Sequence, residues 1–310
     1  MKRQFLKYMG AAVLAASALL PASSMAAGYT QTKYPIVMVH GFFGFDNIGT
    51  YEYWYGIPDA LRADGANVYV SQVTASNSTE VRGEQLLSYV KQVLAATGAQ
   101  KVNLIGHSHG GPTARYVASV APNLVASVTT VGGVNKGSPV ADIIQGVAPA
   151  GSFTNTVLAN VVNGFAAMVA FMSGDSSTQK SDAALNSLTT TGMATFNQAH
   201  PEGVPTTACG EGAYQVNGVR YFSWSGAQPA TNAADPMDGN LVLTSAAFLG
   251  AKNDGMVGSC SSHLGQVIRD NYGMNHLDEV NQTAGLVNIF ETNPKTVYRQ
   301  HANRLQLLGL

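Results

Sequence analysis

The sequence predicts an α/β domain with a mostly parallel central sheet flanked by helices. Three observations support this prediction. Continuous apolar runs alternate with segments of helical periodicity, and a Gly-x-Ser-x-Gly pentapeptide lies between one such run and the helix after it. The chain has 310 residues, of which 45% are hydrophobic and 11% charged, so it is long and apolar enough for one large core.

The predicted strands are continuous apolar runs, as expected where helices cover both faces of a parallel sheet. They span residues 34–39, 66–73, 102–105 and 125–131. Residues 81–94 predict an amphipathic helix that Gly98 is suited to end, and residues 112–120 predict a second helix. Asn217-Gly218, between two β-prone arms within 214–224, predicts a hairpin.

Residues 1–26 have the features of a secretory signal peptide. Lys2, Arg3 and Lys7 precede an apolar run over 8–20 and a small-x-small cleavage site at 24–26. An uncleaved membrane anchor is the alternative, although the apolar run is short for a membrane span. Without this segment, 14 Lys and Arg face 18 Asp and Glu, a formal charge of about −4. That charge argues against a nucleic-acid partner.

The two cysteines are Cys209 and Cys260. Export to an oxidising compartment predicts a disulfide between them, the alternative being two separate buried thiols.

The pentapeptide Gly106-His107-Ser108-His109-Gly110 predicts a nucleophilic serine on a sharp turn between a strand and a helix. Glycine is needed on both sides because side chains there would collide with neighbouring backbone. The turn places Ser108 at a helix N-terminus, where developing negative charge is stabilised. An ordinary glycine-rich turn is the alternative interpretation.

A serine hydroxyl needs a base, and the base needs a carboxylate that orients it. Adjacent residues on a tight turn point away from the hydroxyl, so His107 and His109 are poor candidates. His276, in a polar loop-like stretch, and His263, three residues after Cys260, remain open as the base, with His200 and His301 also downstream.

The predicted acid is Asp254, in the turn Asn253-Asp254-Gly255 at the end of a β-prone run. Its competitors are Asp235, Asp238, Asp270 and Asp278. The backbone N–H groups of His109 and Phe42 are the predicted oxyanion donors, one after the nucleophile and the other in the loop after the first strand.

Residues 143–174 contain no charged side chain and predict an amphipathic helix with a weakly polar face. The apolar side carries Val157, Leu158, Val161, Val162, Phe165, Met168, Val169 and Met172. A core helix is one interpretation. Beside a serine-hydrolase motif we favour a lid, over about 139–175, that turns its apolar face outward at an oil surface.

Several segments closely resemble the secreted true lipases of Pseudomonas and related Gram-negative bacteria. They include "YTQTKYPIVMVHGFFGFDN", "KVNLIGHSHGGPTARYVA", "NDGMVG" and "SSHLGQVIRDNYGMNHLDEVNQ". The resemblance implies an α/β-hydrolase fold with a helical lid and triacylglycerol lipase activity. It also implies Ser108 as nucleophile, Asp254 as acid, His276 as base, oxyanion donors at Phe42 and His109, and a Cys209–Cys260 disulfide.

The same resemblance implies one structural Ca²⁺. Its ligands map to the carboxylates of Asp235 and Asp278 and the backbone carbonyls of Gln282 and Leu286, with Asp238 as a substitute for Asp235. All-oxygen ligation suits this hard cation.

The implied partners are lipid esters at an oil–water interface and a membrane-anchored folding chaperone (a foldase) in the periplasm, before secretion to the exterior. No membrane span is expected in the mature chain. A short-chain carboxylesterase or polyester depolymerase with the same triad is the alternative function, and a non-catalytic binding protein is a more distant one.

Overall fold

The structure is a computed structural model that describes residues 28–42, 44, 47–48, 51–173 and 182–310. The predicted signal peptide and the last residues of the predicted lid, 174–175, lie outside the described residues. Within them the chain forms a seven-stranded, mostly parallel sheet flanked by helices, which confirms the predicted fold class.

The central sheet has the strand order β4-β1-β5-β6-β8-β7, and β9 also pairs with β8. The bounds are β1 Ile36–Val39, β4 Val68–Val70, β5 Val102–His107, β6 Val125–Val131, β7 Gln215–Val216, β8 Val219–Gly226 and β9 Gln266–Tyr272. Neighbouring strands are parallel except β7, which runs antiparallel to β8. Two short strands, β2 (Asn47–Ile48) and β3 (Tyr51–Glu52), form a separate antiparallel pair.

Helices cover both faces of the sheet. They are α1 Ile57–Arg62, α2 Thr79–Thr97, α3 Gly110–Val120, α4 Pro139–Ile144, α5 Asn155–Ser173, α6 Asp182–Leu188, α7 Thr190–Ala199, α8 Asp238–Ser245 and α9 Pro294–Leu307. Val37 and Val39 of β1 pack into the cluster that contains α2 and α3, whereas Ile36 and Met38 pack into the cluster that contains α1 and α9. The continuous apolar run of β1 therefore reflects burial on both faces.

Local signals set the ends of several elements. Ser78 caps α2 by accepting a hydrogen bond from the Val81 N–H, and Gly98 ends it with a left-handed φ of 68°. The strand predicted over 66–73 is shorter, since β4 spans Val68–Val70. Asn217 (φ 50°) and Gly218 (φ 78°) form the predicted hairpin turn between β7 and β8.

The predicted disulfide is present between Cys209 and Cys260, whose Cα atoms are 4.6 Å apart. It joins the segment before β7 to the 3₁₀ turn Ser259–Ser262. Among the described residues, no helix is both long and apolar enough to cross a membrane.

The two ends of the described chain lie against each other. The Lys33 N–H donates to the Leu310 carbonyl at 2.7 Å, and the Gln306 side chain donates to the Gly28 carbonyl at 2.8 Å. Because Lys33 precedes β1, both ends lie near the amino edge of the sheet.

His301 of α9 is buried, with a Nε2–Thr129 Oγ1 distance of 2.7 Å and its ring packed on Trp224. Burial, with a smaller contribution from Arg304, lowers the pKa of His301 to about 3. The imidazole therefore remains neutral in the folded protein at pH values where it is charged in the unfolded chain.

We expect His301→Gln to reduce the acid sensitivity of folding. Below pH 6.5 the unfolded chain binds a proton at His301 that the folded protein does not. The free energy of unfolding therefore falls by about 1.4 kcal/mol for each unit by which the pH is lowered. Between pH 7.5 and 4.5 the variant should therefore lose about 3 kcal/mol less than the parent, measured by urea unfolding. Thr129→Val, which keeps the imidazole, is the control. Equal losses in the parent and His301→Gln would contradict the expectation.

Candidate active site

Ser108 lies on a strained turn between β5 and α3. Its φ is 54°, in the left-handed region that a non-glycine residue rarely adopts. The turn is closed by two glycines: a Cβ at Gly106 would lie 2.1 Å from the Gly110 carbonyl oxygen, and a Cβ at Gly110 would lie 2.1 Å from that of Val39. These contacts account for both glycines of the pentapeptide.

Asp254 and His276, the predicted acid and base, form a buried hydrogen-bonded pair. The His276 Nδ1–Asp254 Oδ2 distance is 2.7 Å, and the His276 backbone N–H donates to the Asp254 carbonyl at 2.9 Å. The second carboxylate oxygen of Asp254 accepts the N–H groups of Met256 (2.8 Å) and Val257 (2.7 Å). Both side chains of the pair are thus held in place by their neighbours.

One expectation about these side chains is wrong in detail. Asp254 does not follow a strand: the preceding element is a 3₁₀ turn, Ala246–Phe248, and Asn253 only bridges Gly258. His276 does lie in a loop, as expected, and it is 5% exposed.

Ser108 and His276 line the same small cavity, whose other walls are mostly apolar, including Phe42, Phe165 and Met168. Its volume is about 40 Å³, space for about one water molecule. The lining from α5 is Phe165 and Met168, and the Phe165 ring stacks on Phe42 with centroids 6.2 Å apart. In this arrangement α5 therefore fills the space beside the serine.

The backbone carrying the predicted oxyanion donor Phe42 runs directly past the serine. A Cβ at Gly41 would lie 2.7 Å from Ser108 Cβ. The buried guanidinium of Arg82, on α2, donates to the carbonyls of His40 (2.6 Å) and Gly41 (3.4 Å). Burial lowers the pKa of Arg82 to about 9. Arg82 thus remains charged at neutral pH and fixes this loop.

A buried polar chain that the sequence did not reveal lies behind the site. Tyr53 Oη is 2.5 Å from His107 Nδ1 and accepts the Gly41 N–H at 3.0 Å. His107 Nε2 lies 3.3 Å from Glu279 Oε2, which lies 3.9 Å from His276 Nδ1. Burial, followed by the nearby Asp254 charge, raises the pKa of Glu279 well above its ordinary value. This chain connects the back of the catalytic candidates to Gly41.

The two histidines of the pentapeptide, His107 and His109, and the alternative candidate for the base, His263, have other partners. His109 Nε2 lies 2.9 Å from Thr79 Oγ1, and burial lowers the pKa values of His107 and His109 well below 6.5. His263 lies 3.0 Å from the Gly210 carbonyl through Nδ1 and 3.1 Å from Asp270 through Nε2. His263, unlike His276, is not part of the cavity that contains Ser108.

The predicted calcium ligands lie around the turn that follows His276. Thr283 Oγ1 donates to Asp235 Oδ2 at 2.7 Å and lies 3.5 Å from the Leu286 carbonyl. Asp235 and Leu286 are therefore close to each other. Gln282 follows the tight turn at Asn281 (φ 59°), and its N–H donates to the Leu277 carbonyl at 3.0 Å.

The electrostatics of this turn favour a cation. Asp278 is fully buried, and its Oδ1 has no hydrogen-bond partner among the described residues. Burial, with repulsion from Asp235 and Asp238, raises the pKa of Asp278 to about 7. Asp238 instead accepts the N–H groups of Thr231 (2.6 Å) and Asn232 (2.7 Å) and the Asn275 amide (2.8 Å), so it organises the loop. The residues present thus fit a hard divalent cation.

Comparison with known proteins identifies the class. A family profile described as alpha/beta hydrolase fold matches residues 34–264. Among solved structures, a mature Bacillus licheniformis lipase has a TM-score of 0.58 at 19% identity, covering 83% of this chain and 89% of that chain. The chain belongs to the α/β-hydrolase fold family.

Sequence relatives narrow this class. A triacylglycerol lipase of Vibrio cholerae is 60% identical over 284 residues, 91% of this chain and 91% of the relative. A triacylglycerol lipase of Pseudomonas fragi is 45% identical, over 90% of this chain and 98% of the relative. Within the α/β hydrolases, the chain is a bacterial triacylglycerol lipase of the Pseudomonas type, as the resemblance implied.

Proposed function

We propose that this lipase acts outside the cell, hydrolysing the ester bonds of triacylglycerols through Ser108, His276 and Asp254. The observation that carries the proposal is the 2.7 Å Asp254–His276 hydrogen bond, together with the cavity that His276 shares with Ser108. The pair supplies an oriented imidazole, and the strained turn supplies a serine that lines the same cavity.

In the first half-reaction, Ser108 Oγ forms a bond to the ester carbonyl carbon while His276 Nε2 takes the hydroxyl proton. Asp254 stabilises the resulting imidazolium through Nδ1–H. The C–O bond then breaks, the alcohol leaves with the proton from His276, and the acyl group remains on Ser108. In the second, water attacks the acyl-enzyme with His276 as base, which releases the fatty acid and restores the serine.

The N–H groups of Phe42 and His109 would hold the oxyanion. The close approach of Gly41 to Ser108 supports Phe42 as a donor. The C=O and N–H of a trans peptide point in opposite directions, so an Arg82 bond to the Gly41 carbonyl directs the Phe42 N–H away from Arg82. His109 immediately precedes α3, where backbone N–H groups favour negative charge.

The apolar lining of the cavity favours long acyl chains as substrate. We expect the purified, calcium-loaded protein to hydrolyse emulsified long-chain triacylglycerol faster than dissolved short-chain esters, in a chain-length series at equal ester concentration. A preference for dissolved short esters without a rate increase at an interface would instead support the short-chain esterase or polyester depolymerase.

We propose α5, within the segment 139–175, as a lid. A cavity of about 40 Å³ is too small for an acyl chain, and because Phe165 and Met168 of α5 line it, displacement of α5 would enlarge it. The described side chains of α5 include buried Val161, Phe165 and Val169, an apolar face that would turn towards lipid.

The contact of the proposed lid with α8 gives a direct test. A Cβ at Gly164 would lie 2.6 Å from the Asn240 carbonyl oxygen and 3.1 Å from Leu243 Cβ. Gly164→Ala should strengthen the helix but disfavour its closed position, by about 1 kcal/mol or more. We expect its rate on dissolved short-chain esters to rise roughly fivefold, because about 1 kcal/mol changes the open population by that factor.

Asn163→Ala is the matched control for this test. Asn163 is exposed on the same helix, so alanine there improves helix propensity without a new contact. A Gly164→Ala enzyme with the parent's rates on dissolved and emulsified esters would argue against α5 as the lid.

We further propose that Asp235, Asp278 and the carbonyls of Gln282 and Leu286 hold one structural Ca²⁺. When bound, the ion would neutralise the buried Asp278 two residues after His276 and so stabilise the loop that carries the base. Asp238 would hold Asn275, the residue directly before His276, through the hydrogen bond from the Asn275 amide.

The proposed route to the exterior passes through the periplasm. There a lipase-specific foldase would assist folding, and the Cys209–Cys260 disulfide is compatible with that oxidising compartment. The foldase and the signal peptide rest on the resemblance and on residues 1–26.

A further inference from the structure

Two adjacent apolar side chains project from the loop before α9. Phe290 is 93% exposed and Ile289 80%, the highest values among the large exposed hydrophobic residues of the described chain. Exposure of single apolar residues is common, whereas a fully exposed aromatic ring beside an exposed branched chain requires an explanation. We call these two residues the 289–290 tip.

The backbone that carries the 289–290 tip is fixed on both sides. The Phe290 N–H donates to Asn288 Oδ1 at 3.0 Å. The carboxylate of Glu291 accepts the Gly273 N–H and the Arg269 guanidinium, each at 2.8 Å. The Asn232 amide donates to the Val287 carbonyl at 3.0 Å. The two side chains therefore project from a held turn.

The 289–290 tip lies at the edge of the sheet that carries the active site. Gly273, the partner of Glu291, directly follows β9 and precedes His276 by three residues. Strands β5 and β9 are part of the same parallel arrangement, so Ser108 follows the carboxyl end of one and Gly273 that of the other. The 289–290 tip is therefore attached, through Glu291, to the edge of the sheet at which Ser108 and His276 lie.

The surroundings of the 289–290 tip suit an apolar medium. Residues 281–290 contain no charged side chain. The next residue, Glu291, is charged, but its carboxylate is paired with Arg269. Burial acts to raise the pKa of Glu291, but the hydrogen bonds from the Gly273 and Thr292 N–H groups and from Arg269 outweigh it and lower the pKa. The tip can thus leave water without burying an unpaired charge.

The size of the 289–290 tip argues for lipid over protein as its partner. Its two side chains expose on the order of 300 Å², whereas a stable protein interface buries about 800 Å² on each partner. Two apolar side chains on a rigid turn are enough to insert into the headgroup–acyl boundary of a lipid surface.

We propose that Ile289 and Phe290 form a fixed lipid anchor, separate from the lid, that attaches the enzyme to the surface carrying its substrate. The inference rests on the proposed action at an oil–water interface. Because the anchor does not take part in ester cleavage, its removal should weaken attachment to lipid while hydrolysis of dissolved esters is retained.

The test measures binding to pure phosphatidylcholine vesicles by co-sedimentation, with Ser108→Ala in every variant so that hydrolysis does not alter the lipid. Adding Ile289→Ser and Phe290→Ser should weaken partitioning at least about tenfold, because the transfer of two apolar side chains is lost. Leu307→Ser is the matched control: Leu307 is 79% exposed but lies near the amino edge of the sheet, where the Leu310 carbonyl binds Lys33. It should change partitioning less than twofold.

A second measurement reports insertion directly. Trp54 and Trp224 are each 1% exposed, so in Phe290→Trp the introduced indole dominates any change of emission on lipid binding. We expect a blue shift with vesicles. Unchanged partitioning of the serine variant, or no blue shift, would overturn the proposal. A dimer that dissociates in the serine variant, seen by analytical ultracentrifugation, would overturn it in favour of a contact between two copies.

The anchor and the proposed function can fail separately. With Ser108 intact, the Ile289→Ser/Phe290→Ser enzyme should hydrolyse a dissolved short-chain ester at the parent's rate and emulsified triacylglycerol more slowly. If the parent cleaves neither ester, the proposed triad is wrong. The vesicle measurement still shows whether Ile289 and Phe290 bind lipid.

Discussion

Ser108→Ala is expected to lower kcat/KM for ester hydrolysis by at least about 10⁴-fold, because it removes the hydroxyl that we propose forms the acyl-enzyme. The fold should remain intact. Alanine keeps the Cβ that the turn already accommodates at a φ of 54°, so backbone strain does not change. Activity on a chain-length series of esters, together with the melting temperature, checks both parts of the expectation.

Ser71→Ala is the control for loss of a buried serine. Ser71 donates to the Met38 carbonyl at 3.1 Å and does not line the cavity of Ser108. Its activity should match that of the parent. A serine-reactive phosphonate should label the parent and Ser71→Ala but not Ser108→Ala, and substantial hydrolysis by Ser108→Ala would remove the basis of the proposed mechanism.

Removal of calcium is expected to have the second largest effect. In 1 mM Ca²⁺, a site with micromolar affinity contributes about 4 kcal/mol to folding, so a chelator should lower the melting temperature by about 10 °C. The physical reason is the buried Asp278 carboxylate, whose Oδ1 lacks a partner among the described residues and whose charge Asp235 and Asp238 repel. Activity should fall as the loop of His276 loosens.

Asp278→Asn separates the metal from a general effect of the chelator. The amide removes the buried charge, so the variant's melting temperature should be the same with Ca²⁺ and with chelator, as scanning calorimetry would show. Asp59→Asn is the control, because Asp59 is exposed and pairs with Arg62 on the surface. That variant should keep the full response to Ca²⁺. A parent protein that melts at one temperature in both conditions would exclude the proposed site.

The parts of the structure that could be predicted from the sequence are those that local sequence patterns determine. The uninterrupted apolar run of β1 required burial on two faces, and the end of α2 at Gly98 required a residue that tolerates a left-handed φ. The Ser108 turn was predictable because backbone atoms leave no room for a side chain at either glycine. These atoms belong to Gly110, four residues after Gly106, and to Val39 on the adjoining strand.

The parts that it missed depend on contacts distant in sequence. Tyr53, His107 and Glu279 meet behind the site although 54 and more residues separate them, and no periodicity encodes that meeting. A single signal was present: Glu279 follows Asp278 and lies one helical turn after His276. The β-prone character before Asp254 was misleading because Ala246–Phe248 is set by packing against α5, and propensity gives way to packing there.

The contact between the two ends of the described chain bears on how the protein can be attached to a solid support. Leu310 and Lys33 are joined at the amino edge of the sheet, whereas Ser108 and His276 follow strand ends at the opposite edge. A resin or electrode coupled at Leu310 therefore holds the molecule with the edge that carries Ser108 and His276 outward, free to meet droplets of oil in a stirred reactor.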